Sequence, residues 1–148
     1  MPTRLKLTLI LFLVSNCFYS QSNSMSSFAD CENKKSNNEV CKCMTEKVNL
    51  LQYQVTKEFD SLIKTAREIL IEKKDNQGLY SILKKQIELL SGLKNSMIQN
   101  ALKVGELRAS SSISGSGYSC VLAEEQIQEL DKIKIFLKER KEELESFR

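Results

Sequence analysis

From residue 3 to residue 148 the chain contains no proline, its single one being Pro2. Through most of that length apolar residues return every three or four positions. Without proline no backbone N–H is missing from a helical ladder, and a period near 3.6 gathers the apolar side chains on one face of a helix. Long helices with apolar faces must bury them against one another. The expected fold is all-α: an elongated antiparallel three-helix bundle with disulfide staples, preceded by a signal peptide.

The first long helix opens at Ser36-Asn37-Asn38-Glu39, an S-x-x-E capping box. Its stripe is Val40, Met44, Val48, Leu51, Val55, Phe59, Leu62, Ala66, Ile69 and Leu70. It is expected to stop at Asp75-Asn76-Gln77-Gly78, with Gly78 in the left-handed conformation that ends helices. That makes about 37 residues and roughly 55 Å. The second stripe reads Leu79, Ile82, Leu83, Gln86, Leu90, Leu93, Met97, Ala101, Val104 and Leu107, with Gly92 as a weak point, and stops at Ala109 or Ser110. The third helix runs from Val121 to Phe147 on Leu122, Ile127, Leu130, Ile133, Phe136, Leu137 and Leu144, and its charged end from Lys138 onward is expected to project into solvent. Short connections force neighbouring helices to run antiparallel.

At the front, Arg4 and Lys6 precede the apolar run Leu7 to Val14, too short to span a bilayer as a helix. This reads as an export signal over residues 1–20, with Ser20-Gln21-Ser22 as the cleavage region and a boundary between 17 and 22. Val14-Ser15-Asn16-Cys17 also resembles a lipobox, which leaves acylation of Cys17 as the alternative. Residues 21–35 are polar and Ser/Asn-rich and read as a flexible leader, and residues 36–148 as the helical domain. The expected location is secreted or periplasmic. Cys31, Cys41, Cys43 and Cys120 then remain, an even number suited to an oxidising compartment.

Loss of Arg4 and Lys6 with the signal lowers the net charge from +3 to about +1. Acids and bases are interleaved rather than blocked, so neither nucleic acid nor an anionic membrane is an expected partner. The chain has no histidine and no tryptophan, and histidine is the commonest general acid/base and metal ligand. The carboxylates alternate with lysines at ion-pair spacings, as Lys64, Glu68, Glu72 and Lys73 do. With no nucleophile–base pair, metal hook or phosphate loop, the chain reads as a protein that is not an enzyme and needs no cofactor.

In Cys41-x-Cys43 the two side chains lie about 200° apart around a helix and are poorly placed to pair with each other. Cys41 shares the stripe of Met44 and Val48, which assigns it to the interior and to Cys120; Cys43, facing outward, takes Cys31. The swapped pairing, Cys31 with Cys41 and Cys43 with Cys120, remains the alternative. A four-thiolate zinc site needs paired C-x-x-C hooks that the chain lacks.

Asp30-Cys31, Glu39-x-Cys41, the long first helix, Leu83-x-x-Gln86, a Ser/Gly loop before Cys120 and Glu125-Gln126 leading to Leu130 together resemble the lysozyme-inhibitor LprI-like N-terminal domain family, over residues 30–140. At that family's Q-x-x-W-x-x-x-R-D signature this chain carries Gln86, Leu89, Leu93 and Lys94. The resemblance implies an exported helical domain that binds a protein, in the sharpest case a lysozyme. Ser114, Gly115, Ser116, Gly117 and Tyr118 within loop 110–119 form a hydroxyl-rich finger ending in an aromatic, a shape that suits a sugar-binding cleft. The same loop also reads as a plain connector. The rival function is a structural or adaptor module that offers an apolar helix seam to a partner or to a second copy; a stripe left exposed favours it, and a fully buried one favours the loop.

Overall fold

The computed structural model of the protein describes residues 29–112 and 117–148. The expected signal segment, Cys17 within it, and the finger residues Ser114, Gly115 and Ser116 lie outside the described residues. The helices are α1 (Ala29–Glu32), α2 (Asn37–Glu72), α3 (Gln77–Ser112) and α4 (Tyr118–Glu145). No strand occurs among the described residues. Each long helix packs on the other two. Cys41 meets Cys120 near the starts of α2 and α4, and Glu68 meets Arg148 near their ends, so these two run parallel and α3 runs against both. The molecule is the expected antiparallel three-helix bundle, with helices of 36 residues in α2 and α3, about 54 Å each at 1.5 Å per residue.

Ser36 caps α2 with extended backbone (φ −142°, ψ 154°), its Oγ accepting from the Glu39 N–H at 3.3 Å. The Glu39 carboxylate reaches back one residue further than a capping box requires and accepts from the Lys35 N–H at 3.1 Å. From this start the α2 stripe buries Cys41, Met44, Val48, Leu51, Val55, Phe59, Leu62, Ile63, Ala66 and Ile69, with Val40 and Leu70 packed at its edges.

The turn out of α2 differs from expectation. The Lys73 N–H donates to the Ile69 carbonyl at 2.9 Å, and Lys73 itself has φ −102°, so Gly78 takes no part in closing the helix. Asn76 instead starts α3, its Oδ1 accepting from the Leu79 N–H at 3.1 Å. Gly78 lies inside the first turn of α3 with an ordinary helical backbone. An asparagine cap satisfies the free N–H groups of a helix start, which lets residues 73–76 make the whole reversal.

In α3 the buried face is Leu83, Leu90, Ile98, Ala101 and Ala109. Leu79, Ile87, Met97 and Leu102 pack beside it. Ile82, Leu93, Val104 and Leu107, all expected in the core, are exposed. The physical reason is the crossing with α4 at Gly105: a Cβ built there would lie 2.8 Å from the Gln126 backbone nitrogen. The missing side chain lets the two helices touch, and the face centred on Gly105 turns inward. Gln126 fixes the crossing by donating its side-chain amide to the Leu102 carbonyl at 3.3 Å.

α4 buries Ala123, Ile127, Leu130, Ile133, Leu137 and Leu144. Its charged end does not project: Leu144 is in the core and Phe147 packs against it, while Arg148 pairs with Glu68 at 3.2 Å. Phe59, Ile69, Leu83, Ile127 and Leu130 are the largest wholly enclosed side chains, each worth about 1.5–3 kcal/mol of burial.

Candidate functional site

The cysteines form the pairs Cys31–Cys43 and Cys41–Cys120, with Cα separations of 5.7 Å and 4.5 Å. Cys41 lies on the buried face of α2, as its place on the stripe requires. Cys43 does not face open solvent. Within the segment read as a leader, residues 29–32 form α1, which lies on α2 and carries Cys31 into the core. On the chain-entropy account the bridge across 79 residues contributes about 4 kcal/mol and the one across 12 residues about 3 kcal/mol.

The finger is shorter than the sequence pattern suggested. Ser110, Ser111 and Ser112 continue α3, where the Ser110 and Ser111 hydroxyls donate to the carbonyls three residues back, at 2.7 Å and 2.8 Å. Tyr118 is the first residue of α4, half-buried, and Gly117 is the exposed N-cap in right-handed helical backbone. Tyr118 is therefore rooted on a helix two positions before the bridged Cys120, not carried on a loop tip.

The feature that sequence periodicity missed lies on the outer side of α3. Ile82, Leu89, Leu93, Val104 and Leu107 are all exposed, Leu107 to 71%. At about 100° per residue they fall on one line, well around the helix from Leu83, Leu90 and Ala101. With Tyr80, α3 carries six of the ten exposed large hydrophobics among the described residues, so this face differs from the single apolar residues scattered on α2 and α4. Lys85 and Lys103 border the line on one side, both exposed. The missed signal was a seven-residue step, Ile82 to Leu89, running beside the core positions Leu83 and Leu90.

Between α2 and α3 lies a shallow recess of about 300 Å³ lined by Gln52, Tyr53, Thr56, Asn95, Ile98 and Gln99. Its wall holds amides, a threonine hydroxyl and the Tyr53 phenol, and no carboxylate or amine. Tyr53 is braced by Lys57, whose Nζ sits 5.3 Å from the ring centroid.

Ion pairs set the register of the helices. Lys94 of α3 meets Asp60 of α2 at 2.7 Å, and Arg108 of α3 meets Glu129 of α4 at 2.5 Å and Glu125 at 3.8 Å. Exposed pairs of this kind are worth at most about 1 kcal/mol each, and they align helices more than they hold them. The Gln86 amide oxygen is buried without a hydrogen-bond partner among the described residues. Burial pushes the Asp131 carboxyl above its ordinary value, and the charge of Lys134 pulls the other way. No cluster of three or more metal-ligating side chains occurs among the described residues, and no described helix is long and apolar enough to cross a membrane. Comparison with protein-family models, with curated proteins and with solved structures gives no match for this chain.

Proposed function

We propose that this chain is an exported protein-binding module without catalytic activity, an adaptor whose binding surface is the outward face of α3. The observation that carries this reading is the line of exposed Ile82, Leu89, Leu93, Val104 and Leu107 on a helix whose neighbouring face, about 100° around it, is already committed to the core. Contiguous apolar surface of this kind marks interaction sites, and a regular helix presents it as anchors at fixed spacing. The bundle holds the face in shape before any partner arrives, which lowers the ordering cost of binding. Two disulfide pairs in so small a domain favour an oxidising compartment.

A second reading, inhibition of a lysozyme, follows from the LprI-like resemblance. It is favoured by the position of Gly117 and Tyr118 beside the Cys41–Cys120 bridge, which would steady whatever approaches a cleft there.

The two readings separate in one set of experiments on the oxidised full chain. A photoreactive phenylalanine analogue at position 93 should form adducts that one at position 138 does not, and Leu89→Lys in the same chain should abolish them. Equal adducts at both positions, or none, would sink the adaptor reading. In a lysis assay, inhibition lost on Tyr118→Ala and kept on Leu93→Lys would move the function to the α3–α4 connection.

A further inference from the structure

We propose that the recess between α2 and α3 is a binding site for a neutral sugar ring, a pyranose whose hydroxyls meet side-chain amides while its apolar face rests on Ile98 and Tyr53. Asn95 and Ile98 lie about 120–180° around α3 from Leu93 and Leu107, so this is a second surface, separate from the outward line of that helix.

The recess is made of two helical turns set side by side. Gln52 and Thr56 are four residues apart on α2, and Asn95 and Gln99 four apart on α3, so each pair shares one face of its helix. Ile98, which is buried, supplies the floor, and Tyr53, exposed to 60%, supplies an edge. Both walls are therefore polar and the base is apolar. A pyranose has the same division: hydroxyls project around the ring, and the axial C–H groups make an apolar face that packs on an aromatic or aliphatic side chain.

The hydrogen-bonding capacity of the walls is unspent. The side-chain amides of Gln52, Asn95 and Gln99 make no hydrogen bond among the described residues. Each amide offers an acceptor oxygen and two N–H donors, and a sugar hydroxyl uses a donor and an acceptor together. The Thr56 hydroxyl donates to the Gln52 carbonyl at 2.8 Å, which leaves its lone pairs to accept. The charges beside the recess are engaged: Lys94 pairs with Asp60 at 2.7 Å, and the Lys57 Nζ sits 5.3 Å from the Tyr53 ring centroid. With no carboxylate or amine in the lining, nothing there selects a cation or an anion.

Size and depth favour the same ligand. A volume of about 300 Å³ stands at the lower end of small-molecule sites, about 300–1,000 Å³. Apolar ligands take enclosed, mainly hydrophobic pockets, and one placed here would strip water from three amides and a hydroxyl without replacing their hydrogen bonds. A sugar replaces those bonds and keeps its outer hydroxyls in water. A peptide presents its donors and acceptors along a line, whereas these four polar side chains face one another across a compact floor.

The test is an NMR titration of the oxidised, ¹⁵N-labelled full chain with glucose, galactose and N-acetylglucosamine, with glycerol and trialanine as an open-chain polyol and a peptide. At least one sugar should shift the side-chain amide signals of Gln52, Asn95 and Gln99 saturably, and glycerol and trialanine should not. Gln99→Leu and Tyr53→Ala should each weaken binding about fivefold, with helix content and melting unchanged. Tyr53→Phe should retain it, since the ring is what the sugar rests on, and Lys141→Ala on α4 should leave it untouched. No saturable shift with any of the three sugars, an equal response to glycerol or trialanine, or binding indifferent to both Gln99→Leu and Tyr53→Ala would overturn the proposal.

Discussion

α2 and α3 have the same length, 36 residues each, and share α4 as a neighbour, yet they relate to solvent in opposite ways. α2 gathers its apolar residues on one face and spends them on the core, leaving Leu50, Tyr53 and Ile71 as isolated exposures. α3 carries apolar residues on two faces and buries one of them. The difference teaches that amphipathicity counts partners: a helix with one apolar face is complete within its bundle, and a helix with two has capacity for something more.

The largest way to sharpen this comparison is to cut equal bulk from the two kinds of face. Phe59→Ala, which empties the centre of the α2 stripe, should lower stability by about 3–5 kcal/mol. Leu89→Ala on the open face of α3 should stay within about 0.5 kcal/mol of the parent. Denaturant titration under non-reducing conditions measures both, and similar losses would erase the distinction. Cys120→Ser, which unties α4 from the start of α2, should cost about 2–4 kcal/mol in the same assay while helix content persists.

Gly105→Ala tests how α3 chose its inner face. The added Cβ would press on the Gln126 backbone, and overpacking of this kind costs about 1–3 kcal/mol. Gly92→Ala, in open space on the same helix, should instead stabilise slightly through helix propensity.

The smallest effect is electrostatic and lies on α4. Because the Asp131 carboxyl is raised by burial, the folded chain binds its proton more tightly than the unfolded chain does. Stability from this group is therefore present below the ordinary aspartate value and falls as pH rises through the raised one. Asp131→Asn should melt slightly above the parent at neutral pH, and the gap should close on acidification. A gap that widens in acid would contradict the direction of the shift.

The sequence made α2 legible because a single stripe, from Val40 to Leu70, leaves the period one solution. In α3 the same period has two, and reading Leu83, Leu90 and Ala101 together with Ile82, Leu93 and Val104 blends the faces. Only Gly105 could have separated them, and its role depends on the backbone of Gln126, 21 positions away in sequence. The turn was misread for a local reason: Gly78 and Asn76 are both helix-boundary residues, and the choice between ending one helix and starting the next rests on a single side-chain hydrogen bond. Residues 110–112 and 118–119 look like loop by composition, but serine costs a helix little when its hydroxyl returns to a carbonyl one turn back.

The bridge between Cys41 and Cys120 has a topological consequence. It encloses most of α2 and all of α3 in one covalent ring, with residues 113–117 as part of its circumference. A protease that severs the chain within those residues would open the ring without releasing a fragment. The product would migrate as one species on a non-reducing gel and as two once reduced, with α4 still clasped to α2 at both ends, by sulfur at one and by Arg148 and Glu68 at the other.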